Sequence, residues 1–501
     1  MTSADGSPTL PGVDLLHEVA RRMVIGLPGG GLISAWERDF AALPPAGVIV
    51  FRRDFESLEA LRLLSARLRA LARPGRIFIA MDEEGGFVSQ LGGRLEVPPN
   101  AALLARGAEA GDIEWLARVT GERLRALGVD WVLAPVADVN ALPANPVIGP
   151  RAFGTDAATA ARAVAEAVRG FRAAGVACCL KHFPGHGSTA LDSHLALPVC
   201  DADRATLDAR DLEPFRAGMA AGAGAVMTAH VLYPALDQGQ PATFSRATAH
   251  DLLRRTLGFG GVCITDALEM KGATGSRAPF EAGVLALEAG CDLLLFAHHD
   301  EALPGLRARL AEALDRGRLD RADFEAARAR LEDFDRACPE PRAEELARPI
   351  ESLTPPGWVE RLEAIVSRGL VVRGALLREA AAWPWQIEEP EGLEGPGFRG
   401  CLANAGVPLP QLLATPRDPG EKAVAFIAVR SRLPLAGAEV ERLRAQCRAR
   451  PTVLVGLQND AFLDALPEAA VRVSAADATP LARRMVSRAV AALWRTAAGQ
   501  A

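Results

Sequence analysis

Short apolar runs alternate with helix-length stretches through the first part of the chain, and this alternation limits the fold more than any other feature. The runs are 23–26, 47–51, 77–81, 131–134, 176–180, 225–228, 262–265 and 292–296. Stretches rich in Ala, Leu and Arg with helical spacing lie between most of them, at 57–72, 112–127, 155–174, 202–220 and 277–289. Continuously apolar strands separated by helices belong in a parallel sheet covered on both faces. Eight of them in about 300 residues fit a closed (β/α)8 barrel of the TIM type better than an open sheet.

The pattern breaks at Cys338-Pro339-Glu340-Pro341 and stays proline-rich and polar as far as Thr354-Pro355-Pro356-Gly357. This reads as a linker. Strand-like runs resume at 369–373, 423–429, 452–457 and 470–473, with helical stretches at 437–449 and 478–496. The expected architecture is a barrel over 1–337, a linker over 338–358 and a smaller α/β sandwich of unreadable role over 359–501. No glycine-rich phosphate loop or fixed repeat period is present.

Bulk properties exclude several classes. The formal net charge of −6 offers no basic surface for nucleic acid or anionic lipid. No apolar run has the length of a membrane span, and Met1-Thr2-Ser3-Ala4-Asp5 lacks a signal-peptide pattern. The eight cysteines are scattered without a CxxC pair, as expected of buried free thiols in a reducing compartment. The expectation is a cytoplasmic protein, monomeric, with no nucleic-acid or membrane partner and no cofactor or metal.

Barrel chemistry sits where strands end and loops leave. Three polar clusters follow apolar runs. Asp82-Glu83-Glu84-Gly85-Gly86 reads either as a turn presenting a carboxylate or as a solvated acidic turn. The second cluster runs from Lys181-His182-Phe183-Pro184-Gly185-His186-Gly187 to Asp192-Ser193-His194, and holds three of the eight histidines in fourteen residues. Asp192 and His194 lie two apart. A turn bringing that carboxylate onto one imidazole nitrogen would fix the tautomer and aim the other nitrogen outward. The third cluster, Thr265-Asp266-Ala267-Leu268-Glu269-Met270, delivers Asp266 as a nucleophile, as a helix N-cap for 267–272, or as both. A fourth, rigid segment, Asn140 to Arg151, offers Arg151 as a hydroxyl or carboxylate binder.

These residues resemble glycoside hydrolase family 3, in its bacterial NagZ-type β-N-acetylglucosaminidase branch. The matching stretches are the Lys181–Gly187 and Asp192–His194 loop, Asn145-Pro146-Val147-Ile148-Gly149 with Arg151, Ile264-Thr265-Asp266, Ala229-His230-Val231, and Pro241-Ala242-Thr243-Phe244-Ser245. They fall within residues 15–335. The resemblance implies a retaining double displacement that removes non-reducing N-acetylglucosamine. Asp266 is then the nucleophile, His194 the acid/base and Asp192 the residue orienting it. A histidine replaces the usual second carboxylate, so the usual carboxylate spacing of about 5–5.5 Å does not apply.

The sugar-binding set implied by the resemblance is Asp82, Arg151, Lys181 and His182, with His230 and Met270. The loop 183–198 is expected to move over substrate. One departure concerns Gln90, which stands where the family usually carries an arginine; Arg94 is the candidate substitute. The implied substrate is a cell-wall fragment, and the C-terminal sandwich is implied to be dispensable for the chemistry. Phosphorolysis or β-glucosidase activity within the same family remains as an alternative. A barrel metallohydrolase using His182, His186, Asp192, His194 and Asp266 is a further one.

Overall fold

The computed structural model describes residues 13–29, 34–193, 195–274, 278–298, 303–391, 397–407, 423–431, 435–458 and 461–500. They form two units. The first contains Met1–Glu83, Glu114–Val139 and Asp156–Leu353; the second contains Glu84–Ile113, Asn140–Thr155 and Thr354–Ala501.

The first unit is a closed barrel of eight parallel strands in chain order. They are β1 (Met23–Ile25), β2 (Gly47–Ile49), β3 (Phe78–Met81), β4 (Trp131–Val132), β5 (Ala177–Phe183), β6 (Ala225–Thr228), β7 (Val262–Ala267) and β8 (Leu293–Phe296). Met23 pairs with Leu294 to close the ring. Every strand is one of the apolar runs read from the sequence, and inward residues such as Val24, Ile49, Trp131, Cys179, Met227, Ile264 and Leu295 fill one core. Helices between strands are capped where the sequence provides acceptors. Ser57 accepts the Ala60 N–H at the start of Leu58–Ala72, and Asp156 accepts that of Thr159 at the start of Ala157–Ala173.

The N-terminal end of the barrel is plugged. The helix Arg321–Ala337 sends Phe334 in against Phe78 and Trp131, with ring centroids at 4.9 and 5.1 Å. The Cys338 thiol donates to the Asp130 carbonyl at 3.0 Å and accepts the Ala177 N–H at 3.2 Å. Two buried carboxylates bind the same end. Asp130 accepts from the Ile79 N–H and from Arg69, and Asp292 from the Cys263 N–H, Arg254 and Arg330. The strand C-termini are therefore where a polar site is placed.

Part of the stretch expected as a linker is folded. It holds a short helix, Ala343–Leu346, and belongs to the barrel unit as far as Leu353. Arg125 clasps Glu345 at 2.6 and 2.8 Å, and Arg123 donates to the Leu353 carbonyl at 2.6 Å. All eight cysteines are buried free thiols. Among the described residues no helix is long and apolar enough to cross a membrane.

The second unit is built on a five-stranded sheet of β9 (Val371–Gly374), β10 (Trp385–Glu388), β11 (Val424–Ser431), β12 (Thr452–Gln458) and β13 (Val471–Ser474). Their order is β9-β13-β12-β11-β10, with β9 antiparallel to β13 and the other neighbours parallel. Phe398, Leu402, Val486, Val490 and Trp494 pack on one face with Trp385 and Phe426. Leu443, Cys447 and Phe462 cover Ala425, Ile427 and Leu454 on the other. This is the layered α/β module expected. It also includes 84–113, whose Asp112 takes Arg361 at 2.7 Å and Arg368 at 3.0 Å.

Candidate active site

Three strands of the barrel end in the residues singled out by sequence. Asp82 follows β3 directly, Lys181 and His182 lie near the end of β5, and Asp266 is the penultimate residue of β7. Lys181 donates from Nζ to Asp82 Oδ1 at 2.6 Å. The lysine side chain is only 3% exposed, whereas Asp82, at the end of β3, keeps 22% exposure.

Asp266 is partly exposed and accepts the Ala267 N–H on Oδ1 at 2.8 Å. Burial pushes its carboxyl up, but the charges of His182 and His230, the Ala267 N–H and Lys181 together outweigh burial, so its pKa lies below the ordinary value. An ionised carboxylate held this way is competent as a nucleophile. The helix after it begins at Lys271, not at 267, so Asp266 does not cap it. His230 is fully buried. Its Nε2 donates to the Ala267 carbonyl at 3.0 Å and its Nδ1 meets Thr243 Oγ1 at 2.8 Å, so both nitrogens are committed to protein groups and the ring supports the Asp266 turn. Met270 is 8% exposed and belongs to the core at the mouth.

His182 lies on Asp138, a carboxylate with no exposed surface. Its Nδ1 is 2.8 Å from Asp138 Oδ2, and its backbone N–H reaches both carboxylate oxygens at 3.2 Å. Burial would raise the Asp138 carboxyl, but the His182 charge and hydrogen bond, with the His186 N–H, hold it low. The carboxylate can only accept, so Nδ1 carries the proton.

The loop after β5 continues from the same anchor. The His186 N–H donates to Asp138 Oδ1 at 2.7 Å. Burial, with the neighbouring His182 charge, lowers the His186 imidazole to about 4, so the ring is neutral near pH 7. Thr189 Oγ1 gives its proton to the His186 carbonyl at 3.1 Å, so His186 Nδ1 donates to Thr189 Oγ1 at 2.8 Å. Nε2 then accepts from the Ser193 hydroxyl at 3.0 Å. Both nitrogens of this histidine, one of the weighed metal ligands, are thus occupied. Gly185 has φ +132, and a Cβ there would lie 2.8 Å from the Asp211 Cβ. The Tyr233 hydroxyl donates to its carbonyl at 2.7 Å.

The Ser193 carbonyl accepts the Gly272 N–H at 2.9 Å, docking the loop on the turn that follows Asp266. A Cβ on Gly272 would stand 2.7 Å from that oxygen. The Asp192 carbonyl accepts the N–H groups of Leu195 and Ala196. His194 lies outside the described residues, and with it any contact with Asp192.

The remaining predicted residues belong to the second unit. Arg151 forks onto Glu84 at 2.8 and 2.7 Å. It is set by a turn in which Asn145 Oδ1 accepts the N–H groups of Val147 and Ile148. Gln90 is half-buried just after the short ribbon of Glu83–Gly85 and Val88–Ser89, and Arg94 follows in the next turn. Sequence reasoning missed Asp138. Its signal was an acid inside Val136-Ala137-Asp138-Val139, an apolar run directly after a barrel strand.

Comparison with known proteins gives the family. The glycosyl hydrolase family 3 N-terminal domain matches residues 39–333. A β-hexosaminidase of Chromobacterium violaceum is 39% identical over 328 residues, covering 62% of this chain and 90% of that protein. The structure of a family 3 β-N-acetylglucosaminidase from Paenibacillus sp. FPU-7 superposes with a TM-score of 0.81 at 29% identity, over 99% of this chain and 97% of that one. NagZ from Neisseria gonorrhoeae, in complex with N-trifluoroacetyl-D-glucosamine, superposes with a TM-score of 0.59 at 29% identity, over 72% and 99%. The chain belongs to glycosyl hydrolase family 3 and is a glycoside hydrolase.

Proposed function

We propose that this enzyme is a retaining exo-β-N-acetylglucosaminidase acting on fragments of the bacterial cell wall in the cytoplasm. The observation supporting this reading is the hydrogen bond from the Gly272 N–H to the Ser193 carbonyl, which fastens the loop at Ser193 to the turn that follows an ionised Asp266. In the first step Asp266 attacks the anomeric carbon while His194 gives its proton to the leaving oxygen, and a glycosyl-enzyme forms. In the second step His194 takes a proton from water, the water oxygen bonds to the anomeric carbon, and the Asp266 carboxylate leaves. Asp192 orients the imidazole. Lys181 and Asp82, already joined at 2.6 Å, hold ring hydroxyls of the non-reducing sugar, with His182 beside them. Arg151 is part of the same proposed sugar set. The names of the relatives support the N-acetylated sugar.

The test is an aryl β-N-acetylglucosaminide assayed against the aryl β-glucoside, in buffers with and without phosphate. The account predicts a preference of about 10²-fold or more for the N-acetylated substrate, with free sugar as product, and loss of about 10³-fold or more in Asp266→Ala. Equal rates on both sugars, or sugar-1-phosphate as the main product, would overturn it.

A further inference from the structure

Asp138 has no place in the reaction just proposed, yet two histidines, His182 near the end of β5 and His186 in the loop after it, converge on it. It is fully buried and takes three N–H groups, from the His182 ring, the His182 backbone and the His186 backbone. Two chains of contacts leave it. One ends on the His182 ring, whose charge favours the ionised Asp266 carboxylate. The other runs through the neutral His186 ring to the Ser193 hydroxyl, and Ser193 stands between Asp192 and His194. The proton sequence along the second chain is fixed. Thr189 donates to a carbonyl, His186 Nδ1 donates to Thr189, and Ser193 donates to His186 Nε2.

We propose that Asp138 is a positioning residue that sets His182 and the acid/base loop from one buried point. This rests on the catalytic reading above. A carboxylate suits the task because it only accepts, so it orders every N–H around it in one sense. An amide in its place offers Nδ2–H where His182 Nδ1–H now donates, which forces the other tautomer or turns the ring. A loop that drifts by about 1 Å loses about 10²-fold.

The test compares Asp138→Asn, Ser193→Ala and Asp266→Ala with the parent enzyme on two substrates. The methyl β-N-acetylglucosaminide needs a proton at its leaving oxygen; the 2,4-dinitrophenyl glycoside does not. For Asp138→Asn the expected result is a fall in kcat/KM of about 10²-fold on the methyl glycoside and under about 10-fold on the dinitrophenyl glycoside. Ser193→Ala should show the same bias with a smaller loss, and it carries the test if Asp138→Asn does not fold. Equal losses on both substrates in the folded variants would overturn the positioning role while leaving an inactive Asp266→Ala in place. An active Asp266→Ala would overturn the catalytic reading itself, and the positioning role with it.

Discussion

Asp266 is an acid at a partly buried position whose ionised form is nonetheless favoured. Burial raises its carboxyl, and His182, then His230, the Ala267 N–H and Lys181 bring it below the ordinary value. With the nucleophile's pKa depressed, activity on an activated aryl glycoside persists as pH falls until that lowered value is crossed. In His182→Gln the largest lowering charge is absent, so the acid limb of kcat/KM should move to higher pH. An unmoved limb would show that the limb does not report Asp266. At this scale the sequence was most informative where polar residues end apolar strands, as at Lys181, His182 and Asp266. It was least informative at Asp138, since a single acid beside valines looks the same whether it binds solvent or three buried N–H groups. The resemblance implies His230 as a sugar contact; its two ring nitrogens hold Thr243 and the Ala267 carbonyl.

The barrel strands were legible because each is apolar throughout, and only a sheet buried on both faces asks for that. β10 was missed: Trp385–Glu388 is four residues long, half of it exposed, and follows Pro384. What a linear pattern does not reveal is how the strand ends are held. Asp292 bonds the Cys263 N–H at the start of β7 and pairs with Arg254 and Arg330 at 2.6 Å each. Removing the carboxylate leaves a buried N–H and guanidinium groups without a counter-charge. Asp292→Ala should therefore lower unfolding free energy by about 3–5 kcal/mol in a denaturant titration. A loss under about 1 kcal/mol would mean that the arginines find other partners.

The two units were foreseen as barrel and α/β module, but not their membership. Segments 84–113 and 140–155 leave the barrel strands in sequence and fold with the module, an association made of contacts hundreds of residues apart. Asp477 is one of them. Its Oδ2 accepts the Asn100 N–H at 2.6 Å and its Oδ1 the Thr479 N–H at 2.7 Å. Burial pushes this carboxyl up to about 6 against the pull of those N–H groups. The folded state thus holds a proton that the unfolded chain releases near its ordinary value of 3.8. Stability from this group is present below that pH and declines as pH rises through about 6, by up to about 3 kcal/mol. Unfolding curves of Asp477→Asn between pH 4 and 7 should lack that slope; the same slope in the variant would assign it to another group.

The central claim is the covalent bond between the sugar and residue 266. A 5-fluoro-N-acetylglucosaminyl fluoride, which forms a glycosyl-enzyme faster than water removes it, followed by proteolysis and mass spectrometry of the peptides, reads that bond directly. The account predicts one added sugar, on the peptide containing Asp266 and on that side chain. A sugar attached to any other carboxylate, or turnover of the reagent with no adduct at all, would contradict it.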